Sequence, residues 1–221
     1  MKKLKIYISG QKKFGEEALR LCLNLGHTVV GVSCPSGDRY IGRLAMVNEI
    51  PITDSGGFSS KSIPEGTDLG ITAHSFDYIG RRTRYATKLG WIGYHPSMLP
   101  RHRGRSSIEW AIKMGDPITG GTVFWLNSGI DRGDIAYQDW TWIPPRMKSE
   151  PKKGARELWR DTLLDMGIRL FEMALIDISS GVIKKVPQRA DVSTFEPSCD
   201  IKDIYKPDCL MIADKALKGG L

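Results

Sequence analysis

Lys3-Leu4-Lys5-Ile6-Tyr7-Ile8-Ser9-Gly10 is followed by Phe14, Ala18, Leu21, Cys22 and Leu25 at helical spacing, and then by Thr28-Val29-Val30-Gly31-Val32. The first run predicts a buried strand that ends at Ser9-Gly10. The second predicts an amphipathic helix ended by Gly26, and the third a β-branched strand. Strand, helix and strand within about 30 residues make a βαβ unit, which requires a parallel sheet and a right-handed crossover. The expected fold class is therefore α/β, a doubly wound and mostly parallel sheet.

The pattern continues along the chain. Asp54 to Gly66 is rich in Ser, Gly and Pro and reads as a loop, and Asp68–Ala73 reads as a short buried strand. Arg81–Lys88 predicts a short basic helix, and Trp91–Tyr94 a strand that delivers His95 at its carboxyl end. Residues 106–114 predict a helix. Strands at about 121–126 and 135–142 predict a late hairpin around Asn127–Asp134. Apolar steps of three and four from Leu158 through Phe171 to Ile178 predict one long C-terminal helix over 155–178. Periodicity fades after about residue 190, giving a main domain over 1–190 and a C-terminal extension over 191–221. Trp110 and Trp159 are expected to pack helices. Trp140 and Trp142 share one face of the last strand, with core packing as the default and base or sugar stacking as the alternative.

Bulk properties bound the function. No run of about 18 apolar residues occurs, so no membrane span is expected. The amino-terminal apolar run is too short for a signal peptide, so a cytoplasmic location is expected. Cys22, Cys34, Cys199 and Cys209 fit no metal or redox spacing, and free thiols and no metal are expected. The net charge of +7 favours anionic partners without requiring nucleic acid.

In open parallel sheets ligands bind beyond the carboxyl ends of the strands. That rule places Gly10–Phe14, His74–Ile79, His95–Gly104 and Asn127–Asp134 on one rim. The rim holds His95, Asp131 and several glycine turns. An imidazole exchanges protons near neutral pH, and a neighbouring carboxylate orients it. Together the two suit proton transfer at a carbonyl centre where an oxyanion forms. Taken singly, His95 reads as structural and Asp131 as a turn former.

The motifs add a resemblance. His95, Ser97-Met98-Leu99-Pro100 and Arg103-Gly104 are followed by Trp110-Ala111, Thr119-Gly120-Gly121-Thr122 and Ile130-Asp131-Arg132-Gly133-Asp134. In order and spacing this resembles the folate-dependent formyltransferases, most of all the catalytic domain of the methionyl-tRNA formyltransferases, over roughly residues 3–197. The resemblance implies a Rossmann-like formyltransferase fold. It also implies 10-formyltetrahydrofolate as donor and an acceptor amine, on an aminoacyl-tRNA or a nucleotide-linked amino sugar.

By the same resemblance His95 stabilises the tetrahedral oxyanion and moves protons, and Asp131 tunes it. The pterin is expected between a loop with Phe76, Asp77, Tyr78 and Ile79 and a turn with Asn127, Gly129, Ile130 and Gly133, with Ile92 and Leu99 as apolar walls. Gly10, Lys12, Lys13, Ser97, Arg103 and Gly104 are expected on the acceptor side. Lys12 and Lys13 read equally as a solvated loop. The chain departs from the family at Gly93, where the pattern has an asparagine whose amide donates to the oxyanion. A water, His74 or Asn127 is expected to take that role if activity is retained. Hydrolysis of the formyl donor, or folate or nucleotide binding without catalysis, are the other readings. The residues after 190 are too few for the β-barrel that follows the catalytic domain in the methionyl-tRNA enzymes, which weighs against a tRNA acceptor.

Overall fold

Lys5–Gly10 (β1), Lys12–Asn24 (α1) and Thr28–Cys34 (β2) form the expected unit, with β1 and β2 paired in parallel. The computed structural model describes residues 2–199. Strands Ile52–Asp54 (β3), Leu69–Ala73 (β4), Trp91–His95 (β5), Ile118–Trp125 (β6) and Ile135–Trp142 (β7) complete one sheet in the order β3-β2-β1-β4-β5-β6-β7. β1 to β5 run parallel. β6 is antiparallel to both β5 and β7, so the late hairpin closes one edge.

The two sheet faces are covered unequally. Ile6 and Ile8 of β1, Ile92 of β5 and Val123 of β6 point into the main core. That core includes residues of α1 and of four further helices: Ile41–Val47 (α2), Ser107–Lys113 (α4), Pro151–Leu158 (α5) and Leu164–Ser179 (α6). Tyr7 and Trp91, at the intervening strand positions, face a smaller cluster with Phe58, Ile63 and Ile79. The stretch read as a loop over 54–66 thus supplies much of the cover on the second face, through two short 3-10 turns.

Four expectations change. The unit α2–β3 was not legible, because a seven-residue helix and a three-residue strand leave too little periodicity. The basic helix is only Arg81–Arg84 (α3), since the Thr87 hydroxyl bonds the Arg84 and Gly90 carbonyls and turns the chain. The long helix is Pro151–Leu158 (α5), a π-helical turn at Trp159–Leu163, and then α6. The turn re-aims Trp159, as such insertions do. Trp140 and Trp142 are 49% and 65% exposed and meet edge-to-face, so core packing is incorrect for that pair. They lie on the edge strand, on the side away from α6.

The start of the extension is bound to the body. Thr194 donates to the Pro100 carbonyl, Arg103 donates to the Thr194 carbonyl, and Glu196 donates to the Arg103 carbonyl. The Trp110 indole N–H reaches the Pro197 carbonyl at 2.8 Å. Between these strands of contact lies His102, almost fully buried, with Nε2 2.8 Å from Asp116 and Nδ1 3.2 Å from Glu196. The Asp116 contact is a hydrogen bond, whereas His102 Nδ1 and both Glu196 carboxylate oxygens are buried without a hydrogen-bond partner among the described residues. Arg101 grips Asp116 with two 2.8 Å bonds. Pro207 and Cys209 lie outside the described residues. Among the described residues no helix is long and apolar enough to cross a membrane.

A Cβ at Gly70 would lie 2.0 Å from the Trp91 ring. Gly70→Ala is therefore expected to destabilise the protein by about 1–3 kcal/mol, read from its urea midpoint. Glu196→Ala breaks the buried contact with the His102 ring and is expected to cost about 3–5 kcal/mol, while Glu196→Gln, which keeps an acceptor oxygen, costs less. Burial pushes the Asp116 carboxyl up, but hydrogen bonds from Arg101 and His102 outweigh it and hold the group below the usual carboxylate range. The stability this adds is complete above the unfolded value, about pH 4, and is lost as pH falls through the folded one. Arg101→Ala is expected to move acid unfolding, followed by tryptophan fluorescence, to higher pH.

Candidate active site

His95 ends β5, where the strand leaves the sheet for the loop that carries His102. Its Nε2 lies 2.7 Å from the His102 carbonyl oxygen. A carbonyl only accepts, so Nε2 bears the proton and Nδ1 keeps its lone pair. Nδ1 faces Asp131 Oδ2 at 3.7 Å, and that oxygen accepts the Gly104 N–H at 2.9 Å. The separation is too long for a hydrogen bond but within ion-pair range once Nδ1 is protonated. Asp131 sits in the left-handed region, φ 50°, at the hairpin turn, and the Gln188 amide donates to its carbonyl. The β6–β7 turn is thereby held against the loop after β5.

Both residues line a cavity of about 720 Å³ at the carboxyl ends of β4 and β5. That is within the usual range for small-molecule sites. Phe76, Asp77, Tyr78 and Ile79 form one side, and Asn127, Gly129 and Ile130 the other. Phe14, Trp159 and Tyr94 close the inner end in an aromatic cluster. His74 lies edge-on to Trp159 and Phe76, and burial, with Lys12 nearby, lowers its pKa. It is neutral at pH 7 and adds to the apolar wall. Asp77 is turned inward to accept from the Ser9 and Ser33 hydroxyls at 2.7 and 2.8 Å. It clamps its loop to the sheet while Phe76 and Tyr78, on either side, remain exposed.

Several expected residues stand elsewhere. Ile92 and Leu99 do not line the cavity. Ile92 falls on the main-core side of β5, and Leu99 is buried in the loop fold, so the expected apolar walls are not theirs. Ser97 is fully buried and its hydroxyl closes a turn onto the Arg101 carbonyl. Arg103 is 6% exposed and donates to Gln188, so it builds the hairpin anchor instead of facing an acceptor. Gly10 is buried at the end of β1, and Lys12 and Lys13 lie outside the cavity, with Lys13 paired to Glu16 and Glu17. Gly104 does line the cavity, through its backbone. Gly133 is buried with its Cα against the Trp125 carbonyl and is not on the lining.

Gly93 leaves no vacancy. A Cβ there would stand 2.4 Å from Thr72 Oγ1 and 3.0 Å from Leu126 Cδ1. Neither His74 nor Asn127 fills that space, and the Asn127 side chain accepts from the Gly129 N–H instead. Thr72, Phe14, Trp159 and Arg84 line the cavity without having been singled out for it. Thr72 sat in a β-branched run that reads as core, and only its register opposite Gly93 marks it.

Residues 61–155 match the family model described as formyl transferase. The chain is 32% identical to the mouse mitochondrial 10-formyltetrahydrofolate dehydrogenase over 88% of its own length, and spans 22% of that longer protein. It is 27% identical to the methionyl-tRNA formyltransferase of Symbiobacterium thermophilum, covering 92% of this chain and 66% of the relative. Its fold matches the N-formyltransferase from Helicobacter canadensis, solved with folinic acid and dTDP-3-aminofucose, with a TM-score of 0.70 at 19% identity over 92% of this chain and 74% of that one. The motif region thus lies inside the segment that matches the formyl transferase model, and the chain has the fold of the solved N-formyltransferase.

Proposed function

We propose that this chain transfers the formyl group of 10-formyltetrahydrofolate to an acceptor amine. The observation that carries the reading is the His95–Asp131 pair opening into a 720 Å³ cavity, with His95 Nδ1 free to take a proton. The pterin lies between the Phe76–Ile79 loop and the Asn127–Ile130 turn, against the aromatic inner wall. The acceptor nitrogen gives its electron pair to the formyl carbon, and the carbonyl electrons move to oxygen. His95 Nδ1 takes the proton the nitrogen sheds, and Asp131 pairs with the imidazolium. Collapse of the intermediate breaks the bond to N10, and His95 returns the proton to N10. Such proton transfer typically supplies about 10²–10⁴ in rate.

The amine is carried by an aminoacyl-tRNA or a nucleotide-linked amino sugar, the two acceptor classes found among similar proteins. Arg105, beside Phe76 at the mouth, suits an anionic carrier or the folate carboxylates. A second reading, with water as acceptor, is favoured by relatives whose names carry the formyl donor and no amine. Residues 1–190 form the main body, and Thr194–Pro197 work with it by holding the loop after β5. Burial pushes the Cys22 and Cys34 thiols up to about 12 and about 11, which suits inert thiols in a reducing cytoplasm.

Tetrahydrofolate release from 10-formyltetrahydrofolate, with and without panels of amino sugars and charged tRNA, separates the readings. Amine-dependent release is expected; release at the same rate without an amine means hydrolysis. His95→Ala is expected to lower kcat by about 10²–10⁴, and an unchanged kcat would place the chemistry elsewhere.

A further inference from the structure

Thr72 lies opposite Gly93 in the parallel β4–β5 pair, and His95 is two residues further along β5. Positions 93 and 95 share a face, separated by roughly 6–7 Å of strand. The Thr72 side chain projects into the space above Gly93, on the cavity floor beside His95. Several other polar groups around that floor are committed. His95 Nε2 donates to the His102 carbonyl, Ser107 to the Pro96 carbonyl, and Asp77 accepts from Ser9 and Ser33. Thr72 Oγ1 has no hydrogen-bond partner among the described residues, although the residue is only half-exposed.

An uncommitted donor here has a chemical use. When a nucleophile adds to a formyl carbon, negative charge builds on the oxygen. A donor already aimed at that point stabilises the charge without reorganising. His95 does not provide one at the outset, because its proton is held by a carbonyl and its other nitrogen must accept.

We propose that the Thr72 hydroxyl is the donor to the formyl oxygen as it becomes an oxyanion, the proton staying on Thr72 throughout. Gly93 is then the condition for this role, because any side chain at 93 would displace the hydroxyl. The proposal rests on the formyl-transfer reading above, with either an amine or water as nucleophile.

The test compares wild type, Thr72→Val, Thr72→Ser and the pair Thr72→Ala and Thr72→Ala/Gly93→Asn. It measures kcat for tetrahydrofolate release from 10-formyltetrahydrofolate, and folinic acid affinity by tryptophan fluorescence. Thr72→Val keeps the shape and loses the donor, so kcat is expected to fall about 10²–10³-fold. Folinic acid affinity should stay within about threefold, because the donor acts on the transition state. Thr72→Ser should retain most of the rate. Thr72→Ala/Gly93→Asn, which returns a donor from the neighbouring strand, should exceed Thr72→Ala. Wild-type turnover with Thr72→Val undiminished overturns this proposal alone. So does an equal loss in the Val and Ser variants, or a loss of affinity matching the loss of rate. No turnover by wild type with water or any amine overturns the formyl-transfer reading and this proposal with it.

Discussion

The hydrogen bond from His95 Nε2 to the His102 carbonyl decides what the site can do. It fixes the proton on the nitrogen facing the loop and leaves the other as a base. A carbonyl in a loop is a poor fixed point unless the loop cannot move. Here the next residues are held from three sides. The His102 ring lies between Asp116 and Glu196, its backbone N–H donates to Thr194 Oγ1, and Arg103 pairs with the 194–196 segment. The buried His102 ring is thus part of the apparatus that holds the carbonyl partner of His95 in place. Glu196, far along the chain, touches this arrangement through the His102 ring and does not line the cavity.

The sheet topology explains how Asp131 reaches the same place. A purely parallel sheet would send the chain after β6 back through a crossover. Because β6 is antiparallel, the chain leaves it beside Trp91, at the amino end of β5, and the turn to β7 reaches back from there to bring Asp131 to Gly104 and His95. Gln188 closes the arrangement by donating to the Asp131 and Gly133 carbonyls while accepting from Arg103. The late hairpin and the loop after β5 are therefore one unit, joined by side chains that never face the cavity.

What could be read from the sequence follows from this division. His95 and Asp131 were legible because a strand end and a glycine-rich turn are local features with recognisable residues. The Phe76–Ile79 loop and the Asn127–Ile130 turn were legible for the same reason. Ile92, Ser97 and Arg103 lie close to His95 in sequence but point away from the cavity. Neighbours on a strand face opposite sides, and a loop must spend some polar groups on its own turns. Thr72 and Glu196 were illegible as site residues because their importance lies in register and in contacts across long sequence separations. The expectation that a water, His74 or Asn127 stands in at Gly93 missed Thr72 for a related reason: the space left by a missing side chain on one strand can be filled from the neighbouring strand.

The electrostatics of the cavity follow the same separation of inside from outside. At the inner end the walls are Phe14, Trp159, Tyr94 and a His74 kept neutral by burial. Toward the mouth stand Arg84, anchored to the Ile79 carbonyl, and Arg105 over the Phe76 ring. Moving an uncompensated charge into the inner end would cost several kcal/mol, whereas an anion at the mouth meets guanidinium groups still in contact with water. A ligand with a neutral aromatic head and an anionic tail would therefore enter head first. The gradient in polarity would set its orientation before any specific hydrogen bond formed. Among the described residues Asp131 is the one carboxylate within ion-pair range of His95, so an imidazolium formed there would have its counter-ion at hand.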